Sequence, residues 1–315
     1  MTEFLQLTLA NVTLAAVYLL IGQGWNLSIA VSGLLNLAIG GLYMFGGMLS
    51  FQFAAEWGLP AAVAAVCAVG AVTVIAYVVE RLLLRNAGDR VVVQIIATIG
   101  VSLVLMEAAR HWFGVDPVKP PALLPGDPFP VGPVPVTPQA VCVVAVAIAA
   151  TVGLQLFFRR SDPGRAMRAC ADNPDGARAL GIDVPRQRTV AYAAAGALAA
   201  LAGVLIAPLI PITYAGGDFV ALKAFMAIAI VGLGNFAWAP AGALIVASTE
   251  GYIAGYVSSD YRDAVVLSLL LVVLLAKVIR PGGGPRVLRR LVPRLSAGVR
   301  GDAPKLSNRI GRQTP

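Results

Sequence analysis

Charge is scarce in this sequence. Asp, Glu, Lys and Arg make up 13% of its 315 residues, where a soluble domain carries about 25%. So few charges cannot cover a chain of this length with a water-facing surface, which excludes a water-soluble globule. Basic residues are absent before Arg81. The first apolar run therefore lacks the basic start of a cleavable signal peptide and is expected to stay in the mature protein. Histidine occurs once, as His111, and one imidazole cannot build a metal site. Cys67, Cys142 and Cys170 fit neither a disulfide framework nor a thiolate cluster, so they are expected to be small packing residues. Alternating apolar and polar residues are also missing, which excludes a transmembrane β-barrel.

Apolar residues are abundant, at 58%, and they come in long Ala/Leu/Val-rich runs. A helix needs about 20 residues to cross about 30 Å of hydrocarbon. In lipid its backbone must be satisfied internally. The sequence thus predicts an all-α fold, a polytopic transmembrane helical bundle, with no cofactor. The net charge of +8 is concentrated in residues 159–188 and 277–312. That is the positive-inside signature of cytoplasmic segments and not a nucleic-acid surface. Arg81, Arg85 and Arg90 mark one cytoplasmic loop. Arg159, Arg160, Arg165, Arg168, Arg178, Arg186 and Arg188 mark a second, and Lys277 to Arg312 a third. Residues 114–138 carry only Lys119 and many prolines, so they are expected outside, in extended, polyproline-like structure.

These constraints place spans at about 5–23, 33–55, 61–79, 92–113, 139–158, 189–210, 221–235, 240–257 and 263–279. The count is nine, or eight or ten if a run is broken or re-entrant. Ser258–Arg262 is then an external link and Asn235–Pro240 an internal one. The N-terminus lies outside and the C-terminus in the cytoplasm. Residues 1–283 form the transmembrane domain, with 159–188 as its main cytoplasmic segment. Residues 284–315, where Arg alternates with Pro, Gly and Ser, are expected to be a disordered tail resting on anionic lipid.

Two segments differ from ordinary spans: Ser32–Gly47, SGLLNLAIGGLYMFGG, and Gly232–Gly242, GLGNFAWAPAG. Both combine dense glycine with an asparagine, Asn36 or Asn235, close to membrane depth. Glycine allows close helix packing, and it also allows a helix to break. Tight packing is one reading; discontinuous helices lining a translocation path are the other. Each segment falls in or just after the second crossing of a three-crossing group, and the groups start on opposite sides, as in an inverted repeat.

Residues 162–205, DPGRAMRACADNPDGARALGIDVPRQRTVAYAAAGALAALAGVL, hold a short polar stretch between two spans. Asn173-Pro174 can open a helix and Gly181 can close it in a left-handed cap. The spacing predicts about two turns, Pro174–Leu180, on the cytoplasmic face. Taken alone, this stretch reads as a solvated loop. It resembles, however, the coupling region of ABC importer permeases, whose A-x-x-x-G-I core docks in a groove of an ATPase subunit. More narrowly, the chain resembles the LivH-type permeases of the branched-chain amino acid transporters. The likeness continues through LAGVLIAPLIPI (201–212), LKAFMAIAIVGLGNFAWAPAGALIVASTEGYIAGYVSSDYRD (222–263) and LLLVVLLAKVIRPGG (269–283). SGLLNLAIGGLYMFGG is similar to the family's G-x-x-N-F-A-H-G-x-x-Y-M-x-G segment. Coverage runs from about residue 10 to 283. Ile39 stands where members often have His, and Gly41 where they often have an acid. The resemblance therefore implies a more apolar site here. The family's R-P-x-G-L end reads Arg280-Pro281-Gly282-Gly283.

The resemblance implies a permease of the prokaryotic plasma (inner) membrane that performs no catalysis. Its implied partners are two ABC ATPase subunits, a second permease subunit (a related chain or a second copy), an extracytoplasmic substrate-binding protein and the lipid bilayer. The chain has no G-x-x-x-x-G-K-[ST] phosphate loop, so ATP hydrolysis is expected in partner chains. Arg168, Asp172, Asp175, Ala177, Leu180 and Gly181 are the expected ATPase-coupling residues. Asn36, Gly40, Tyr43, Gly232, Gly234, Asn235 and Glu250 are expected on the translocation path. Glu250 lies near mid-membrane, where a charge is costly and marks either function or a buried packing carboxyl. Lys223 can snorkel to the outer interface and need not be its partner. Glu107 and Arg110 can pair at i,i+3. Asp116, Asp127, Asp218 and Asp260 are external acids within reach of a binding protein. The substrate is expected among branched-chain or related amino acids, with urea or short amides as the alternative. An ion-coupled secondary transporter would need more intramembrane ionisable groups than Glu250. An intramembrane enzyme would need a nucleophile–base pair or metal cluster, and the sequence offers neither.

Overall fold

The computed structural model describes residues 2–33, 35–85, 91–131, 134–256 and 261–279. Arg90, Ser258, Asp260, the Arg280–Gly283 motif and the 284–315 tail lie outside the described residues. Eleven helices run through the described chain: α1 (Thr2–Ser32), α2 (Ile39–Phe51), α3 (Ala61–Val79), α4 (Val91–Phe113), α5 (Pro138–Arg160), α6 (Asp162–Asp172), α7 (Pro174–Ala179), α8 (Val184–Ile206), α9 (Gly217–Val231), α10 (Ala239–Tyr256) and α11 (Arg262–Ile279). Helices α2 and α3 each continue into a π-helical turn, Gln52–Glu56 and Glu80–Leu84. Residues 1–272 form one compact unit. Residues 273–279, the last turns of α11, belong to a second unit that otherwise lies outside the described residues.

Helices α4 and α5 turn polar residues inward and apolar ones outward. Helix α4 turns Gln94, Thr98, Ser102, Leu105 and Ala109 inward, while Ile96 and Val104 are exposed. Helix α5 hides Gln139 and Thr151 and exposes Val141 and Ile148. Apolar side chains facing outward on these helices suit lipid, and some of the inward polar ones find partners in the bundle. The Gln139 amide shows how: its Nε2 donates to Leu205 O at 2.8 Å and its Oε1 accepts from Leu123 N at 3.0 Å.

Among the described residues, five helices are long and apolar enough to cross a membrane: α1, α3 with its π turn, α4, α5 and α8. Helices α1 and α8 are the most enclosed of these. The packing has a reciprocal pattern: α1 packs on α8, α9 and α10, α8 packs on α1, α2 and α3, and α2–α3, α9–α10 and α2–α9 also touch. Exchanging α1, α2 and α3 with α8, α9 and α10 maps this set onto itself. A two-fold relation between inverted repeats produces that pattern.

Helices α3, α4, α5, α10 and α11 begin and end close to the expected spans; α1 runs about nine residues beyond its expected end, α2 begins six residues late, and α8 and α9 lie four to five residues earlier than expected. The last part of α1, with Gln23, Asn26 and Ser28, is almost fully buried; there Gln23 Nε2 donates to Phe236 O and Asn26 Oδ1 accepts from Gly234 N. Helix α9 is short for a span, with 15 residues, roughly 22 Å at 1.5 Å per residue, less than the hydrocarbon thickness. Between Gly114 and Thr137 the described residues hold no helix, as expected, and part of the segment pairs. Strand β1 (Phe129–Val131) runs antiparallel to β2 (Val134–Val136), and Val118 bridges Ile212.

The glycines divide by conformation. Gly33, Gly232 and Gly234 have positive φ, at 70°, 106° and 81°, and stand where helices are interrupted. Gly203 and Gly242 are helical, and a Cβ on either would land on a neighbouring carbonyl, that of Tyr43 or Ala227. Breaks and close packing thus fall at different glycines. Gly203→Val is expected to cost about 1–3 kcal/mol or more by overpacking, and so to lower the melting temperature of the solubilised protein. Gly100→Val, with nothing within 4 Å of its Cβ, is expected to be neutral. Equal losses in both variants would sink the packing argument.

Candidate functional site

The arginine-rich segment folds from local signals. Each of its helices begins with a side chain that accepts a backbone N–H, followed by a proline in the first turn. Ser161 caps α6 at Gly164 N, Asn173 caps α7 at Gly176 N, and Asp183 caps α8 at Arg186 N. Helix α7 ends as expected. Gly181 has φ +78°, Ile182 N donates to Ala177 O at 3.0 Å, and Gly181 N donates to Arg178 O at 3.0 Å. This is the Schellman closure. The expectation of a short helix at Pro174 holds. Helix α6, a further three turns, was not foreseen.

Both helices are anchored. Met167, Cys170 and Ala177 are buried in a cluster with Leu27 and Val31 of α1, Phe158 of α5 and Val184 and Ala191 of α8. Cys170 acts there as an apolar residue, and burial pushes its thiol above the ordinary value. The expected coupling residues therefore separate into two groups. Ala177 is inside, and Arg168 donates to Phe158 O at 2.9 Å, tying α6 to the end of α5. Asp172, Asp175, Leu180 and Gly181 are exposed. Asp175 pairs with Arg178 at 2.7 Å, an exposed pair worth little by itself. Leu180 is 80% exposed, a large apolar side chain at the tip of a rigidly held turn.

The second helix break rests on the same cluster. Between α9 and α10, Gly234 N donates to Asn26 Oδ1 at 2.9 Å. Phe236 O accepts from Gln23 at 3.1 Å and Gln155 at 3.4 Å. The Phe236 ring lies 4.8 Å from that of Phe158. Asn235 Oδ1 accepts from Trp238 N at 3.3 Å. Gly232, Gly234 and Asn235 thus sit in a segment that α1 and α5 hold against the base of the coupling helices.

The first break, between α1 and α2, has different neighbours. Asn36 is 2% exposed and its Oδ1 accepts from Ala38 N at 3.1 Å. Gly40 touches Gly217 and Asp218 at the start of α9, and Gly41 faces Ser102 of α4. Tyr43 is buried one turn on, its carbonyl against Gly203. Ile39 is fully buried. The more apolar surroundings expected from Ile39 and Gly41 hold a carboxylate after all. Asp218, expected in an external loop, accepts from Ser102 Oγ at 2.8 Å.

Glu250 is 3% exposed. Lys223 is its partner, contrary to the expectation that it snorkels away: Lys223 Nζ lies 2.7 Å from Glu250 Oε1 and 2.7 Å from Asp263 Oδ1. Tyr18 Oη donates to the other Glu250 oxygen. One buried group thereby joins α1, α9, α10 and α11. Burial makes partners obligatory, because an isolated charge in the bilayer is too costly. Glu107 and Arg110 form the expected exposed pair.

Apolar outward faces on long helices and two interrupted helices define a polytopic α-helical membrane protein of the broken-helix kind. The chain belongs to the family described as the permease component of the branched-chain amino acid transport system, whose model matches residues 7–274. It is 31% identical over 299 residues to the high-affinity branched-chain amino acid transport system permease protein LivH of Escherichia coli (strain K12), covering 90% of this chain and 97% of that one. The corresponding protein BraD of Pseudomonas aeruginosa is 30% identical over 301 residues, with the same coverage. The probable permease LivH of Methanocaldococcus jannaschii is 32% identical over 133 residues, 41% of this chain and 42% of that one. The solved structure of PsaBC from Streptococcus pneumoniae in complex with Fab aligns with a TM-score of 0.44 and 12% identity over 84% of this chain and 89% of its own, a likeness too loose to bear on fold or function.

Proposed function

We propose that this chain is the membrane-spanning permease subunit of an ABC importer that translocates branched-chain or related amino acids across the prokaryotic inner membrane. The observation that carries the proposal is the match to curated branched-chain amino acid permeases over nearly their whole length. The anchored α6–α7 pair supports a docking role for the arginine-rich segment, with Leu180 and Gly181 as its tip. Arg168 and Ala177 hold that tip in place, and Asp172 and Asp175 flank it. Two partner ATPases hydrolyse ATP, a second permease completes the path, and an extracytoplasmic binding protein delivers substrate. The distribution of arginine supports an external N-terminus and a cytoplasmic C-terminus.

Asn36, Gly40 and Tyr43 frame the path at the first break, and Gly232, Gly234 and Asn235 at the second. Glu250, held by Lys223, fixes α9 and α10 beside it. Because the second break and the coupling helices share one apolar cluster, a push on Leu180 reaches the path through packed side chains. Residues 1–283 act as the transporting body and 284–315 as a cytoplasmic tail.

Uptake of labelled leucine by cells lacking the gene, with and without its restoration, tests the proposal. Restoration is expected to return uptake that isoleucine and valine compete for. Urea or amide uptake following the gene instead would keep the permease and replace the substrate. No response to any of these solutes would overturn the proposal.

A further inference from the structure

Helix α8 stands between the docking turn and the first helix break. It begins at Val184, directly after that turn, and its first half has two faces. Val184 and Ala191 lie in the apolar cluster that anchors α6 and α7. Arg188, Thr189 and Tyr192 reach three other helices. The Thr189 hydroxyl donates to Glu80 Oε2 at the end of α3. Arg188 Nη2 donates to Gln94 Oε1 of α4 at 3.1 Å. The Tyr192 hydroxyl is hydrogen-bonded to Ser32, the last residue of α1 before the break at Gly33, and Tyr192 lines one small cavity with Asn36.

The partners of α8 in this group are buried. Glu80 is 2% exposed and Gln94 1%. Burying a carboxylate is costly unless other groups satisfy it. Here Thr189 bonds it, and Arg188 and Arg85 bring positive charge. Helix α3 also leaves the α-helical pattern at this residue, where Arg85 N donates to Glu80 O at 2.8 Å, an i,i+5 bond. Single π turns are rare and recur at functional sites.

Elsewhere α3 and α8 meet through small residues: a Cβ on Gly196 would lie 2.5 Å from that of Ala76. Small apolar surfaces hold helices close but let them slide past one another. Directional hydrogen bonds to buried groups resist sliding. The polar group therefore decides whether α3 and α4 follow α8 when the docking turn moves.

We propose that Glu80 and Gln94 are positioning residues for transport: with Thr189 and Arg188 they clamp α3 and α4 to α8, so that ATPase motion at Leu180 reaches the first helix break. The proposal rests on the ABC importer argued above. It adds a second route beside the apolar cluster, which reaches the second break.

The full complex, with its ATPases, second permease and binding protein, is reconstituted in proteoliposomes. Leucine uptake and ATP hydrolysed per leucine are measured together, with the melting temperature of the solubilised protein beside them. Thr189→Val alone strands a buried carboxylate, so instability would account for any loss. The double variant Glu80→Met, Thr189→Val removes both ends of the tie and leaves no carboxylate behind. It is expected to melt close to wild type and to keep hydrolysing ATP. Its uptake is expected to fall about tenfold, the scale of a lost charged hydrogen bond, and ATP per leucine to rise by a similar factor. Gln94→Leu cuts the other tie and is expected to shift ATP per leucine in the same direction, whether or not the double variant folds. Glu80→Gln, which still offers Thr189 an acceptor, is expected to retain most uptake.

Wild-type uptake and ATP per leucine in both Gln94→Leu and the double variant overturn the clamp. Parallel losses of uptake and ATP turnover overturn it too, because they place these residues in the architecture alone. So does a loss in Glu80→Gln as deep as in the double variant, which would make charge rather than the tie decisive. The premise fails separately: a wild-type complex without ATP-driven uptake of leucine removes the importer reading and the clamp with it.

Discussion

Leu180→Asp is expected to abolish uptake while leaving the protein folded in the membrane. Leu180 is 80% exposed, so its replacement removes no packing from the bundle. It crowns a turn whose shape is set from beneath by the Schellman closure at Gly181 and by Ala177 in the apolar cluster. An exposed apolar side chain on a rigid projection is the form of an interface anchor, and losing such an anchor costs at least about 2 kcal/mol, roughly thirtyfold in affinity. Co-purification of the ATPases with the permease should fall in step with uptake. Gly181→Trp should act similarly for a different reason. Its φ of +78° strains any L side chain, and with nothing within 4 Å of its Cβ the indole has only the docking face to occupy. Wild-type uptake by Leu180→Asp at normal expression would show that ATPase docking lies elsewhere.

The second large effect is on stability. Lys223→Met removes the counter-charge of Glu250 and leaves a carboxylate buried at 3% exposure. Breaking one side of a buried pair costs about 3–5 kcal/mol, and because the group joins four helices the loss should appear as a clearly lower melting temperature in detergent. Glu250→Gln added to Lys223→Met removes the stranded charge and should restore most of the loss. Asp263 is left without its lysine in both variants, but its side chain is half exposed and solvent can compensate it. A single variant as stable as wild type would mean that the pair carries no structural weight. A double variant as unstable as the single would mean that lysine's packing, not its charge, mattered.

The branch of the glycine argument that held depended on position. Ser32–Gly47 and Gly232–Gly242 announced themselves by composition, but glycine serves a break and a close contact equally well. At Gly33, Gly232 and Gly234 the chain chose positive φ, while Gly46 and Gly242 stayed helical against a neighbouring backbone. The choice depends on what lies opposite, and no local window contains that. The coupling turn was easier to read because its determinants are local: Asn173 caps it, Pro174 starts it and Gly181 stops it within nine residues. Helix α6 follows the same grammar, Ser161 followed by Pro163, and that cap was the available signal.

By itself the sequence determined the all-helical, lipid-embedded class, the boundaries of most spans, the capped turn and the family. Apolar run length, backbone satisfaction and capping act over a few residues to a few turns, so they are written contiguously. Tertiary structure decided where the polar exceptions went. Lys223 found Glu250 across 27 positions, Asn26 found Gly234 across 208, and Asp218 left its apparent loop for Ser102 across 116. In a low-dielectric interior a polar group takes the partner that the fold brings within reach, and that distance is set by packing rather than by order along the chain.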